Sequence, residues 1–152
     1  MPEVEGYLPQ RKYGRPGFGM IQVAEPMHKT ILLYERDRQL RRVISASLES
    51  QGWRVLQASN IEFATQLLQR EIPDLLLIEF CEIEEQEGRL IAHFRAEKAP
   101  GSPSPVLVTT IDRPTKEWIQ EHQPDLVIYK PYDVRHLQNS IRQALEERAF
   151  DG

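Results

Sequence analysis

Apolar residues fall into two patterns along the chain. Short unbroken runs alternate with longer stretches in which apolar positions recur every three or four residues. Pro73-Asp74-Leu75-Leu76-Leu77-Ile78-Glu79-Phe80 is the clearest run: a Pro-Asp turn, four aliphatic residues, then a carboxylate. A run that is apolar at every position suits a strand covered on both faces, inside a parallel sheet. Strands are predicted at residues 30–35, 53–58, 75–79, 106–110 and 126–129.

Helical periodicity fills the intervals. Leu40, Val43, Ile44 and Leu48 form one stripe between Asp37 and Gln51, and Gly52 ends that helix as a C′ glycine does. Ser59 or Asn60 caps a second helix whose buried face is Ile61, Ala64, Leu67 and Leu68, with Glu62 in its first turn. Leu90, Ile91 and Phe94 mark a third, running to about Lys98. Pro114 suits the first position of a short fourth helix ending at His122. Asp133 caps the last, with Val134, Leu137, Ile141 and Leu145 on one side. The turn at Pro124-Asp125 repeats the one at Pro73-Asp74.

Five strands alternating with five helices predict an α/β fold: a five-stranded parallel sheet in the flavodoxin-like order 2-1-3-4-5, helices on both faces, crossovers right-handed. Glu35-Arg36, Glu79, Thr110 and Lys130 then converge at the C-terminal edge of the sheet, where open α/β sheets carry their sites. The expected division is an arm over residues 1–28, a domain over 29–148 and a short tail over 149–152.

Composition narrows the class. The chain has 152 residues, 40% hydrophobic and 28% charged, which suits one domain with a real core. Its net charge of −4 argues against nucleic acid as a partner of the whole domain. Cys81 is the only cysteine, so no internal disulfide can form, and a reducing cytoplasm is the expected location. No apolar run approaches the ~18–20 residues of a membrane span, and no secretory signal pattern opens the chain. The four histidines are at unrelated spacings, so neither a metal nor any other cofactor is expected.

The first 28 residues differ from the rest. Four prolines and four glycines exclude a long helix or strand there. One reading is a disordered arm, or sequence upstream of a natural start at Met27. The other is a contact arm in which Tyr7, Tyr13 and Phe18 supply area while Arg11, Lys12 and Arg15 supply steering.

Residues 29–147 resemble the receiver domain of two-component response regulators, in element order and in three landmarks: the "PDLLLIE" third strand, the "PVLVTT" fourth strand and the "KPYD" turn. The resemblance implies a phosphoacceptor Asp closing the third strand, an acidic pair after the first for Mg²⁺, a Ser or Thr ending the fourth and a Lys after the fifth. Here Glu79 stands at the acceptor position and Glu35-Arg36 at the acidic pair, while Thr110 and Lys130 match. A Glu carboxylate reaches about 1 Å further than Asp, a misplacement on the scale that costs ~10²-fold in rate. A guanidinium offers no acceptor and repels the ion. Arg36 and Lys130 can instead pair with Glu35 and Glu79, filling the pocket with the chain's own charges. Val127 stands where receivers usually carry a switching aromatic, and Tyr129 shares its face. Gly88 sits one residue later than the usual loop glycine, and the acidic run Glu82–Glu87 reads as a solvated loop.

The expected function is that of a degenerate, stand-alone pseudo-receiver: a phosphorylation-independent protein-interaction module in signalling or assembly, without enzymatic turnover. The resemblance places partner contacts, or a homodimer, on the face of the fourth helix, fifth strand and fifth helix, at Trp118, His122, Tyr129, His136 and Asn139. One alternative is an atypical response regulator phosphorylated on Glu79 with Mg²⁺. Another is an accessory subunit anchored by its arm. A nucleotide-binding enzyme would need a glycine-rich loop after the first strand, and Glu35-Arg36-Asp37-Arg38 has no glycine.

Overall fold

Residues 28–81 and 86–151 are described by the structure, a computed structural model, with side chains as far as Glu146. Five parallel strands form one sheet: β1 (Thr30–Tyr34), β2 (Arg54–Ala58), β3 (Leu75–Phe80), β4 (Val106–Thr110) and β5 (Leu126–Tyr129), in the order β2-β1-β3-β4-β5. The helices are α1 (Arg38–Glu49), α2 (Ile61–Arg70), α3 (Gln86–Glu97), α4 (Lys116–His122) and α5 (Val134–Asp151). Strand order and element order match the pattern read from the chain.

The two-sided burial of the central strands explains their composition. Every residue of β1, β3 and β4 is buried. Alternate residues face opposite layers. Leu32, Tyr34, Leu76, Ile78, Val106 and Val108 meet Ala64 and Leu68 of α2 and Leu90, Ile91 and Phe94 of α3. Ile31, Leu33, Leu75, Leu77, Leu107 and Ile128 meet Ile44 and Leu48 of α1 and Leu137, Ile141 and Leu145 of α5.

Both Pro-Asp turns do the same work. The Asp74 backbone N–H donates to the Thr30 carbonyl at 2.8 Å, and the Asp74 carboxylate accepts the Thr30 N–H at 2.7 Å. Asp125 repeats this with Val106, at 2.8 and 2.7 Å. Each aspartate thus fixes the start of its own strand to the start of the neighbour.

Several boundaries differ from expectation. Asp37 caps α1 rather than joining it, accepting from the Leu40 N–H at 2.9 Å; of the two expected caps for α2, Asn60 is the one used. Pro114 is buried ahead of α4, not in its first turn, because Thr115 takes the cap by accepting the Trp118 N–H at 3.0 Å. β3 continues one residue to Phe80, which pairs in register with Thr110. α5 runs through Asp151, so residues 149–151, expected as tail, are helical. Val43 is 55% exposed although it shares the periodicity of Ile44 and Leu48. The expected arm contacts Tyr7, Arg11, Lys12, Tyr13, Arg15 and Phe18, and loop residues 82–85, lie outside the described residues. Among the described residues no helix is long and apolar enough to cross a membrane.

Candidate functional site

The C-terminal ends of β1, β3 and β5 bring four charged side chains together. Glu35 follows β1 and is 1% exposed; Glu79 is the penultimate residue of β3 and is 7% exposed. Lys130 follows β5 and places Nζ 2.9 Å from Glu35 Oε1 and 2.7 Å from Glu79 Oε2. Arg36 approaches from the other side, with Nε 3.1 Å and its backbone N 3.0 Å from Glu79 Oε1. The remaining oxygen, Glu35 Oε2, accepts the Asp37 N–H at 3.0 Å. Every oxygen of the two carboxylates is therefore engaged by an N–H donor of the chain.

The electrostatics follow from this geometry. Burial acts first on Glu35 and, with the Glu79 charge, holds its carboxyl above the ordinary value of 4.5 despite Lys130 and the Asp37 N–H. Burial opposes ionisation of Glu79 too, but Lys130, the Arg36 N–H and the Arg36 guanidinium outweigh it and hold that carboxyl below 4.5. Burial pulls Lys130 down, yet its two carboxylate partners hold it above 10.5. For Arg36 the same opposition is won by Glu79 and the Cys81 thiol, and the guanidinium stays charged. Burial, then the charges of Glu35 and Glu79, raise the Tyr132 phenol far above its usual range.

The receiver fold implies a divalent metal here. A hard cation needs carboxylate oxygens with free lone pairs directed at one point. In this cluster an ammonium lies between the carboxylates and a guanidinium covers the outer side of Glu79. The residues present do not fit such an ion.

Thr110 reaches the same edge but does not join the cluster. It is fully buried, and its hydroxyl donates to the backbone carbonyl of Asp112 and lies 3.4 Å from that of Phe80. One participant was not singled out in the sequence. Arg41 Nη1 donates to the Glu35 carbonyl at 2.7 Å, holding the strand end from the first turn of α1. Its spacing from Asp37, one turn, was the available signal. Glu87 is fully buried, and its carboxylate accepts the Cys81 N–H at 3.1 Å. The reading of Glu87 as part of a solvated loop is therefore corrected: it belongs to the first turn of α3, which turns it inward.

The proposed contact face divides. Tyr129 is 43% exposed, with the Arg113 guanidinium 5.8 Å from its ring centroid. His136 and Asn139 are exposed, and Asn139 accepts from Arg142 at 2.9 Å. Trp118 and His122, expected at this surface, are half-buried. The Trp118 ring meets Phe80 edge-on at 4.8 Å and His122 at 4.8 Å. The cause is the brevity of α4: seven residues offer too little surface to dock without their aromatic side chains.

No family model matches the chain, and no curated protein does. Solved structures match. A CheY-like response regulator receiver domain protein from Methanospirillum hungatei superimposes with a TM-score of 0.73 at 20% identity, over 83% of this chain and all of the other. The receiver domain of a LuxO-type repressor from Vibrio parahaemolyticus gives 0.70 at 15% identity, over 82% and 95%. An orphan response regulator of H. pylori gives 0.64 at 23% identity, over 77% and 96%. The chain thus carries the CheY-like receiver fold, a flavodoxin-like five-stranded sheet, with Glu35, Arg36, Glu79 and Lys130 gathered at its C-terminal edge.

Proposed function

We propose that this domain is a pseudo-receiver: a signalling module that binds protein partners without being phosphorylated. The observation that carries the reading is that every oxygen of both carboxylates is engaged by Lys130, Arg36 or the Asp37 N–H. Phosphoryl transfer to a carboxylate needs an in-line oxygen and a metal that neutralises the developing charge. Glu79 offers neither a free oxygen nor room for the metal. The internal ion cluster keeps the strand ends in one arrangement, and the outer surface is left to do the work. The exposed Tyr129, His136 and Asn139 on β5 and α5 are the proposed contacts, on a face that receivers commonly use for pairing.

Incubation with acetyl phosphate and Mg²⁺, followed by intact-mass analysis, tests this. An unchanged mass is the expected result. A base-labile gain of one phosphoryl group on Glu79 would establish an atypical response regulator instead. Binding assays on Tyr129→Ala and His136→Ala variants against captured partners test the surface.

A further inference from the structure

The approach of α3 to α4 depends on a missing side chain. Gly88, in the first turn of α3, is buried, and the His122 imidazole lies directly over it: a Cβ on residue 88 would clash with its Cε1 and Nε2 atoms. The ring cannot swing aside freely, because Trp118 packs against it at 4.8 Å and its side chain is only 17% exposed. From the same α3, Arg95 donates to the carbonyls of His122 and of Gln123, the latter at 2.8 Å. Gln123 ends α4 in a left-handed conformation, φ 47°, which presents those carbonyls together. On its inner side Trp118 meets Phe80, the residue next to Glu79.

α4 itself has no fully buried residue. A helix this short has little stability of its own. Its position therefore rests on the Phe80–Trp118–His122 ring stack, the glycine seat and the Arg95 grip.

We infer that Gly88 and His122 form a latch that fixes α4 on α3, and that releasing it frees α4 as a local unit while the sheet stays folded. Through Trp118 the latch reaches Phe80, the chain neighbour of Glu79. A partner that binds α4 better in one of the two positions shifts the balance between them.

Amide hydrogen exchange on the full chain, with Trp118 emission read in a Trp53→Phe background, tests the latch. In Gly88→Ala, amides of residues 118–123 are expected to exchange on the order of tenfold faster, while those of β1 and β3 keep their protection. Trp118 emission should shift to the red. His122→Ala, which only removes atoms, should give the same local release and carries the test if Gly88→Ala fails to fold. The combined variant should exchange no faster than His122→Ala alone, because the added methyl then occupies vacated space. Unchanged α4 exchange in His122→Ala, or effects of the two substitutions that simply add, would overturn the inference.

Discussion

Lys130 Nζ lies 2.7 Å from Glu79 Oε2 and thereby ties the end of β5 to the end of β3, across β4. The same ammonium reaches Glu35 beyond β1 at 2.9 Å. One cation therefore spans most of the width of the sheet at the edge where its helices begin. Two carboxylates this close would repel each other without it.

The first prediction concerns that cation. Lys130→Met leaves two buried carboxylates facing each other, and breaking a buried pair by removing one partner costs about 3–5 kcal/mol. A urea midpoint well below that of the parent is expected. Adding Glu35→Gln to Lys130→Met should recover part of the loss, because Glu35 is the carboxylate left without a cation, whereas Glu79 keeps Arg36. If Lys130→Met unfolds at the parent midpoint, the cluster does not hold the strand ends.

The second prediction concerns acid. Glu79 is held below 4.5. Its ionised form is favoured by folding, so it contributes stability that is present above pH 4.5 and lost as pH falls through its depressed value. The stability difference between the parent and Glu79→Gln should thus be greatest near neutrality and shrink below pH 4.5. Glu35, held above 4.5, acts oppositely: its contribution is lost as pH rises from 4.5 through its raised value. Chemical denaturation across pH 3 to 7 measures both. A parent-minus-Glu79→Gln difference that does not vary with pH would count against the assignment.

The third prediction concerns base. Tyr132 is raised above 10.0, and its hydroxyl is buried with no hydrogen-bond partner among the described residues. A folded-state value above the unfolded one gives stability that is full below pH 10 and is lost as pH rises further. Tyr132→Phe removes an unsatisfied polar group and the titration together. It should be neutral or stabilising at pH 7, and its advantage over the parent should grow above pH 10. Lys130, held above 10.5, remains in both proteins and cancels from the comparison.

How much of this was legible in the chain depends on how local the cause was. Leu75–Ile78 are apolar without interruption because both sheet faces are covered, so strand and burial could be read from the residues alone. The strand ends followed from topology, which is why Glu35, Arg36, Glu79 and Lys130 could be placed near one another before any distance was known. Trp118 and His122, expected on the outer face, are half-buried instead. Seven residues give too little periodicity to show which face of α4 is inward, and the deciding feature, a glycine on α3, lies about thirty residues away in sequence. Glu87 was misread because charge usually marks solvent, whereas here the start of α3 folds the carboxylate back onto the Cys81 N–H.

The fourth prediction concerns the two Pro-Asp turns. Asp74 and Asp125 each accept one N–H at the start of a neighbouring strand, Thr30 and Val106 respectively. Asp74→Ala and Asp125→Ala each leave that N–H without its acceptor, at a cost of about 1–3 kcal/mol. The two turns join different strand pairs, so the effects should add to within about 0.5 kcal/mol in the double variant. Strong non-additivity would mean that the turns share a partner that the fold does not show.

The fifth prediction asks whether the chemistry of the pocket can be reversed. Arg36 covers one side of Glu79, and the extra methylene of Glu79 carries its carboxylate into the reach of both cations. Arg36→Asp removes the covering charge and supplies two acceptor oxygens next to Glu35. Glu79→Asp draws the carboxylate back by about 1 Å, the scale on which positioning decides phosphoryl transfer. Neither change alone is sufficient: the first leaves the acceptor too far forward, and the second leaves a guanidinium where an ion would sit. Together they should create a magnesium site of millimolar affinity, measurable by calorimetry, and a base-labile mass gain with acetyl phosphate. The parent and both single variants should show neither. If the double variant binds no magnesium while remaining folded, Arg36 and the length of Glu79 are not what closes this pocket, and the cause must lie in the position of Lys130 or in the backbone following β3.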